Sequence, residues 1–171
     1  FYWCRQSAQQ DNREAMFNLA MMYQLGRGTG QDFAEALRWY DKAAELGHVA
    51  AHYNLGVMYE QGQGVEADVQ RAFGFYNTAA EAGLANAQYN VGTMYQHGRG
   101  VAPDHALAMD WYEKAAAQGH VSAQFNLGVM YQRDAGIFVD YRAKAIHWYE
   151  QAAAQGHEGA RHNLSLMQQA P

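Results

Sequence analysis

The chain is poor in cysteine and proline, and it has no long apolar run. Its single cysteine, Cys4, excludes an internal disulfide, which suits a reducing cytoplasm and is also compatible with the periplasm or a secreted setting. With two prolines in 171 residues and no block of like charge, the composition argues against disorder. Because no run of about 18 apolar residues occurs, the sequence predicts no membrane-spanning helix.

Charged residues are scarce, and catalytic motifs are missing. Twelve Lys and Arg residues against 17 Asp and Glu residues give a formal net charge of −5, which leaves no basic footprint for nucleic acid. The chain has no nucleophile elbow, no zinc-binding cysteine cluster and no glycine loop that follows a strand to bind phosphate. The sequence therefore predicts no catalytic residue, no cofactor and no metal site.

The chain is rich in repetition. A phrase of the type Asn-Leu-Gly-Val-Met-Tyr recurs at intervals of 36, 36, 36 and 37 residues. Its copies begin at Asn18, Asn54, Asn90, Asn126 and Asn163. A second phrase, of the type Trp-Tyr-Glu-Lys-Ala-Ala, has copies that begin at Trp39, Phe75, Trp111 and Trp148. A constant period of this length is typical of stacked two-helix units.

The first phrase predicts one amphipathic helix in each repeat, called helix A. Ala51, Leu55, Met58 and Tyr59 recur at helical spacing and share one apolar face. Helix A is predicted at residues 13–25, 49–61, 85–97, 121–133 and 158–169. One interior position holds a small residue in each repeat: Ala20, Gly56, Gly92 and Gly128. Because glycine costs about 1 kcal/mol of helix propensity against alanine, its recurrence predicts a close approach of two helices.

The second phrase predicts a second helix, helix B. Each helix B is expected to follow an aspartate whose side chain accepts from the first-turn N–H groups: Asp32, Asp68, Asp104 and Asp140. Glycines are expected to end both kinds of helix in a left-handed conformation. These are Gly26, Gly62 and Gly98 after helix A, and Gly47, Gly83, Gly119 and Gly156 after helix B. The fourth repeat departs at Asp134-Ala135-Gly136, which predicts an irregular loop.

The spacing predicts a single repeat domain over residues 1–171. Its parts are a leading helix B in 1–11, full repeats at 12–47, 48–83, 84–119 and 120–156, and a last helix A in 157–171. Trp3 lies 36 residues before Trp39, so the chain is expected to begin inside a repeat, at a processed or truncated end. Phe1, Tyr2 and Trp3 are expected to expose apolar surface that supports end-to-end self-association. Ser165, Gln168 and Gln169 are expected to form a polar cap.

These phrases resemble the Sel1-like repeat family, relatives of the tetratricopeptide repeats. The family pattern Ala-x3-Leu-Gly-x2-Tyr-x2-Gly-x-Gly-Val, followed by Asp-x2-Lys-Ala-x2-Trp-Tyr-x-Lys-Ala-Ala-x2-Gly, is matched most fully in the third repeat. The matching residues are Ala87, Val91-Gly92, Tyr95, Gly98, Gly100-Val101, Asp104, Ala108, Trp111-Tyr112, Lys114-Ala115-Ala116 and Gly119. Phe75, Thr78 and Leu107 depart from the pattern. The resemblance implies an all-α, right-handed superhelical solenoid of antiparallel helix pairs that acts as a protein–protein interaction scaffold, in many cases bacterial.

In related repeats helix A lines the concave side, and this side is the predicted binding surface. The face of helix A turned away from the core carries an aromatic ring with a smaller residue one turn later. The rings are Phe17, Tyr53, Tyr89 and Phe125, here called the aromatic row, and the smaller residues are Met21, Val57, Thr93 and Val129. Gln96, His97, Gln132 and Arg133 form a polar edge. Exposed rings favour binding of a protein or peptide segment, and the alternative is burial between repeats.

Two further repeated positions have competing interpretations. The asparagines Asn18, Asn54, Asn90, Asn126 and Asn163 either bond to the backbone of a neighbouring repeat or hold the backbone of a bound peptide. His48, His120 and His157 follow the glycine that ends helix B, which indicates joint residues more than metal ligands. His48 and His52 have helical spacing, but the sequence shows no third ligand.

The predicted function is a non-enzymatic scaffold or adaptor that binds a protein or peptide segment of some positive charge in the concave groove. The alternative is a cell-envelope protein that binds, or acts on, a glycan or other small ligand in the aromatic groove. One deep pocket with convergent carboxylates and histidine would favour that alternative. A third possibility is a purely structural module within a longer chain.

Overall fold

The structure, a computed structural model, describes residues 1–10, 12–134 and 140–169. Over these residues the chain forms ten α-helices and no strand. The helices are α1 Tyr2–Ala8, α2 Arg13–Leu25, α3 Phe33–Glu45, α4 Val49–Gln61, α5 Val69–Glu81, α6 Ala85–His97, α7 His105–Ala117, α8 Val121–Asp134, α9 Tyr141–Ala154 and α10 Glu158–Gln169. None of them is long and apolar enough to cross a membrane.

The predicted alternation of two helix types is confirmed. Helix A corresponds to α2, α4, α6, α8 and α10, and helix B to α1, α3, α5, α7 and α9. The bounds of helix A agree with the prediction, except that α8 is one residue longer at its end. The irregular loop predicted around Ala135 and Gly136 lies outside the described residues.

The helices group into two compact units. Unit 1 comprises Phe1–Ala87 with Arg99–Ala102, and unit 2 comprises the described residues of Gln88–Gly98 and Pro103–Pro171. The predicted apolar face of helix A forms the core of unit 1, where Leu55 and Met58 are fully buried. Leu127 and Met130 take the same place in unit 2. Each unit therefore has a core of its own.

The close approach predicted at the helix-A glycines is confirmed. A Cβ atom built on Gly56 would lie 2.6 Å from Cδ1 of Tyr76, on the helix B of the same repeat. The corresponding distances are 2.8 Å from Gly92 to Tyr112 and 2.7 Å from Gly128 to Tyr149. All three tyrosines are buried. The missing side chain leaves the space that a buried ring fills.

Aspartate caps begin three of the four later B helices. The carboxylate oxygens of Asp32, Asp68 and Asp104 accept from the backbone N–H three residues on, at 2.9 to 3.0 Å. The prediction for Asp140 is wrong, since its side chain makes no cap hydrogen bond. The first three have an extended backbone, whereas Asp140 is in the right-handed helical region, with φ −89° and ψ −9°. Its carboxylate pairs instead with Lys144 at 3.2 Å.

The glycines predicted to end the helices all have positive φ. The second glycines of the Gly62-x-Gly64 and Gly98-x-Gly100 sequences have a further role that the sequence analysis missed. A Cβ atom on Gly64, whose φ is +72°, would lie 2.7 Å from Cβ of Phe33, at the start of the preceding helix B. The loop therefore packs directly on the neighbouring repeat, and a side chain would prevent this contact.

The exposed apolar residues expected in α1 are present. Tyr2 is 63% and Trp3 is 79% exposed. Phe1 differs from the expectation, because it is half-buried and packs edge-on against Tyr23 at 5.4 Å between ring centroids. In α10 the polar residues of the predicted cap are exposed as expected: Ser165, Gln168 and Gln169.

Candidate functional site

The aromatic row is neither fully exposed nor core. All four rings are half-buried. In unit 1 Phe17 packs at a tilt against Tyr40, and Tyr53 against Tyr76, with 5.6 Å between ring centroids in each pair. In unit 2 the pairs are Tyr89 with Tyr112 at 5.8 Å and Phe125 with Tyr149 at 6.0 Å. The buried tyrosine of helix B thus forms one wall behind each ring of the row.

A histidine forms a second wall behind three of the rings. His48 stacks on Phe17 at 4.3 Å between centroids and 15° between planes. His120 stacks on Tyr89 at 4.6 Å and 19°, and His157 on Phe125 at 4.3 Å and 20°. The chain carries Leu84 at this position after the second repeat. Three rings of the row are therefore held by contacts from two helices.

The same histidines begin the next helix A, which confirms the prediction that they are joint residues. Nδ1 of His48 accepts a hydrogen bond from the backbone N–H of Ala51 at 3.3 Å. His120 and His157 do the same for Ala123 and Ala160, at 3.2 Å each. An imidazole here replaces the usual serine or aspartate cap. In the described part of the chain, no group of three or more His, Cys, Asp or Glu residues is arranged to hold a metal ion.

A polar ladder closes one edge of the row. Each helix-B tyrosine donates its hydroxyl proton to a Gln or Glu oxygen on the helix A of the same repeat. The pairs are Tyr40 with Gln24 at 2.8 Å, Tyr76 with Glu60 at 2.7 Å, Tyr112 with Gln96 at 2.6 Å and Tyr149 with Gln132 at 2.6 Å. The sequence analysis placed two of these acceptors, Gln96 and Gln132, at the polar edge of helix A, but it did not identify their donors.

The asparagine ladder bonds to the same hydroxyls. Asn163 donates its side-chain N–H to the Tyr149 hydroxyl at 3.0 Å. Asn54 and Asn126 lie near the hydroxyls of Tyr40 and Tyr112, whose pKa values they lower. The structural interpretation predicted a backbone acceptor, and at Asn163 that acceptor is wrong. A tyrosine side chain of the preceding repeat accepts the bond instead.

Burial dominates the acid–base behaviour of these tyrosines. It raises the pKa of Tyr40 to about 12, and the bond from Asn54 lowers that pKa only in part. Burial also raises the pKa values of Tyr112 and Tyr149, again opposed by their asparagine partners. The hydroxyls therefore stay protonated and act as donors to the glutamine oxygens at neutral pH.

The smaller residues and the polar edge complete the site. Val129 is 38% exposed, while Met21, Val57 and Thr93 are half-buried. Oγ1 of Thr93 donates to the backbone oxygen of Tyr89 at 3.0 Å. His97 and Arg133 are exposed at the ends of α6 and α8. Arg133 is engaged within the chain, with its Nη2 2.6 Å from Nε2 of His105 and its Nε 3.2 Å from Oδ1 of Asp134.

The ladder contains one carboxylate. Oε1 of Glu60 accepts from the guanidinium of Arg99 at 2.7 Å, and its Oε2 accepts from Tyr76. At the equivalent place in the first repeat the contact is neutral, because Gln24 donates to Oε1 of Gln63 at 3.1 Å. Glu60 is therefore the one negative side chain of this ladder, and its charge is already paired with Arg99 within unit 1.

Four cavities lie away from the aromatic row, along the B helices and their loops. Cavities of about 250 Å³ and 280 Å³ in unit 1 are lined in part by Trp39 with Arg38, and by Phe75 with His52. One of about 440 Å³ includes Tyr59, and one of about 560 Å³ in unit 2 includes Trp148. None of the four has a lining residue from the aromatic row. None combines convergent carboxylates with a histidine, the arrangement that would favour the alternative function.

Comparisons with known proteins agree with the repeat pattern. The Sel1 repeat family matches residues 13–48, 49–84, 85–120 and 121–157. A protective antigen of uropathogenic Escherichia coli strains with an SLR fold is 39% identical, with a TM-score of 0.91 over 96% of this chain and 35% of that one. A Sel1 repeat protein from Oxalobacter formigenes is 32% identical, with a TM-score of 0.83 over 91% of this chain and 61% of that one.

The remaining comparisons define the fold and the class. Helicobacter pylori cysteine rich protein B is 21% identical, with a TM-score of 0.57 over 71% of this chain and 87% of that one, and shares the fold. Among curated proteins, no sequence matches significantly. The predicted fold class, an all-α repeat solenoid, is confirmed. Proteins with this repeat are generally protein-interaction scaffolds and typically not enzymes. Four matched repeats and two likenesses above 30% identity show that the chain belongs to the Sel1 repeat family.

Proposed function

We propose that the chain binds a protein or peptide segment, without catalysis, on the helix-A face of each unit. Phe17 and Tyr53 serve unit 1, and Tyr89 and Phe125 serve unit 2. The observation that carries the proposal is that these rings are half-buried and yet supported from behind by helix-B tyrosines. Rings already fixed in one rotamer lose little entropy when a partner covers them, so they are suited to binding.

The glutamines of the polar ladder favour one orientation of a bound peptide along this face. Tyr112 and Tyr149 donate to the Oε1 atoms of Gln96 and Gln132, which fixes the orientation of each amide. The Nε2 groups make no further hydrogen bond among the described residues, so they are available to donate to carbonyl oxygens of a partner. A ring with an adjacent oriented amide is suited to an extended peptide, whose side chains and carbonyls alternate.

The partner that we propose carries some positive charge. The chain has a formal net charge of −5, with 12 Lys and Arg residues against 17 Asp and Glu residues. Opposite charge on the partner increases its association rate and favours it over acidic competitors.

End-to-end self-association through the exposed Trp3 is a second proposed contact. Trp3→Lys should abolish this self-association when it is measured by sedimentation velocity.

The experiment is a selection of random dodecapeptides on the purified chain, followed by affinity measurements on variants. Tyr53→Ala should lower the affinity for peptides selected on unit 1 about tenfold, and Tyr89→Ala should do the same for unit 2, because each substitution removes a central ring. Phe75→Ala is the matched control, since it truncates another half-buried aromatic of unit 1 that lines a cavity on helix B. Selected peptides that depend on Phe75 and ignore both tyrosines would contradict the proposal, and so would a selection that enriches nothing.

A further inference from the structure

We propose that His120 and His157 are acid-sensitive positioning residues, which hold the aromatic row of unit 2 at neutral pH and release it when they are protonated. The regulation rests on the proposed function of the row. Each histidine makes two contacts at once: its Nδ1 caps the next helix A, and its ring stacks on a ring of the row. Loss of the first contact therefore disturbs the second.

The cap fixes the protonation state of these histidines. A backbone N–H only donates, so Nδ1 of His120, 3.2 Å from the N–H of Ala123, must carry a lone pair, and the ring proton lies on Nε2. The same holds for His157 and Ala160. If Nδ1 carried a proton, it would face the backbone N–H as a second donor, and the hydrogen bond would be lost. It would also place a positive charge at the positive end of the helix dipole, which is unfavourable.

The surroundings of His120 offer little to stabilise a charged ring. Burial lowers the pKa of His120, and a bond to its own backbone opposes this only in part. The contact of His120 with α6 is Tyr89, and that of His157 with α8 is Phe125. Neither histidine makes an ion pair in the portion of the chain that the structure describes. Near His157, Arg161 of the same helix donates its Nε–H to the backbone oxygen of Ala153.

His48 is the internal contrast. Its Nε2 lies 3.1 Å from Oε2 of Glu14 on α2, an ion-pair contact that His120 and His157 lack among the described residues. The charged side chains near this joint also include Arg13, which donates to the backbone oxygen of Leu46. His52 on the same helix adds a further titratable ring.

The chain itself provides the control substitution. At the position equivalent to His48, Asn12 begins α2, and its side-chain oxygen accepts from the N–H groups of Glu14 and Ala15 at 3.1 and 3.0 Å. Asparagine does not titrate, so it caps the helix in acid as well as at neutral pH. The double variant His120→Asn with His157→Asn should retain the caps and lose the acid sensitivity.

The sign of the effect follows from the lowered pKa of His120. The unfolded chain takes up its proton near the ordinary value of 6.5, before the folded chain does. The stability of this joint is therefore fully present above pH 6.5, and it is lost as the pH falls through the folded value. The attraction between an imidazolium and the ring that it covers opposes the release. The experiment decides which contribution is larger.

Hydrogen exchange by NMR, corrected for intrinsic rates, tests the caps at about pH 7.5 and about pH 5. The amides of Ala123 and Ala160 should lose about tenfold protection in acid, the size of one lost cap. In the Asn double variant both amides should stay protected, and far-UV circular dichroism confirms that the variant is folded. Unchanged protection in the wild-type chain at low pH would overturn the proposal.

Binding is measured separately, with a dodecapeptide selected on the row of unit 2 at neutral pH. The wild-type chain should bind this peptide about tenfold more weakly at the lower pH, and the Asn variant should not. If the caps open in acid while peptide affinity is unchanged, the link from caps to row is refuted. If no peptide binds the row at either pH, the proposed function fails, whereas the exchange result still decides the acid sensitivity of the caps.

Discussion

The contact between Gly56 and Tyr76 predicts a measurable cost for one added methyl group. A Cβ atom at Gly56 would lie 2.6 Å from Cδ1 and 2.7 Å from Cε1 of the Tyr76 ring. Because that ring is only 1% exposed, it has little room to move. Overpacking of this kind costs about 1–3 kcal/mol, and the better helix propensity of alanine returns about 1 kcal/mol. We expect Gly56→Ala to lower the free energy of unfolding by up to about 2 kcal/mol.

The matched control is Gly74→Ala, in α5 of the same unit. A Cβ atom at Gly74 would have nothing within 4 Å, so only the propensity gain applies, and the variant should be more stable by about 0.5–1 kcal/mol. Urea unfolding followed by far-UV circular dichroism gives both values, and hydrogen exchange should locate the loss in α4 and α5. The first repeat carries Ala20 at the position of Gly56, so the fold tolerates a methyl there and the cost stays moderate. Stability gains of equal size in both variants would refute the packing argument.

Three other substitutions or titrations follow from the same structure. Asp104→Ala should cost about 1 kcal/mol in thermal melts, and Asp140→Ala less than about 0.5 kcal/mol, because only Asp104 caps its helix; equal costs would contradict the observed caps. Tyr59→Ala should cost about 3–5 kcal/mol and open α4 and α5 in hydrogen exchange, whereas Trp111→Ala should cost less because Trp111 is half-buried. In ultraviolet titration Tyr40 should ionise near pH 12. The ordinary pKa of tyrosine is 10.0, so the unfolded chain ionises first. The stability that Tyr40 contributes is therefore intact below pH 10, and it falls as the pH rises to about 12. Ionisation of Tyr40 near pH 10 would show that it is not buried.

The helices could be predicted from the sequence because each signal was local and repeated. Apolar spacing identified the buried face of helix A. Glycines marked the ends of both helix types, and aspartates marked the start of helix B. The Gly56 position was also readable, since a glycine that recurs inside a helix requires a packing reason. Asp140 was not predictable from residue type, because capping depends on the backbone conformation of that residue.

The partners of the polar side chains could not be predicted, since they depend on distance in space. The amide of Asn163 reaches a hydroxyl 14 residues earlier in the chain, on another helix. The sequence marked His48 as a joint residue but carried no signal that its ring covers Phe17. Helical spacing alone orders residues around one axis, and it does not give the separation of two helices. The half-buried state of the row became visible only with the tyrosine and histidine walls in place.

The central claim is that the helix-A face, and not the clefts along the B helices, receives the partner. Aromatic carbon–proton NMR spectra of the chain, recorded with a selected dodecapeptide, test this most directly. The account predicts that the largest shifts fall on the bound unit's rings of the aromatic row, either Phe17 with Tyr53 or Tyr89 with Phe125. Shifts concentrated on Trp39 or Trp148, which line cavities on the B helices, with the row unchanged, would contradict it.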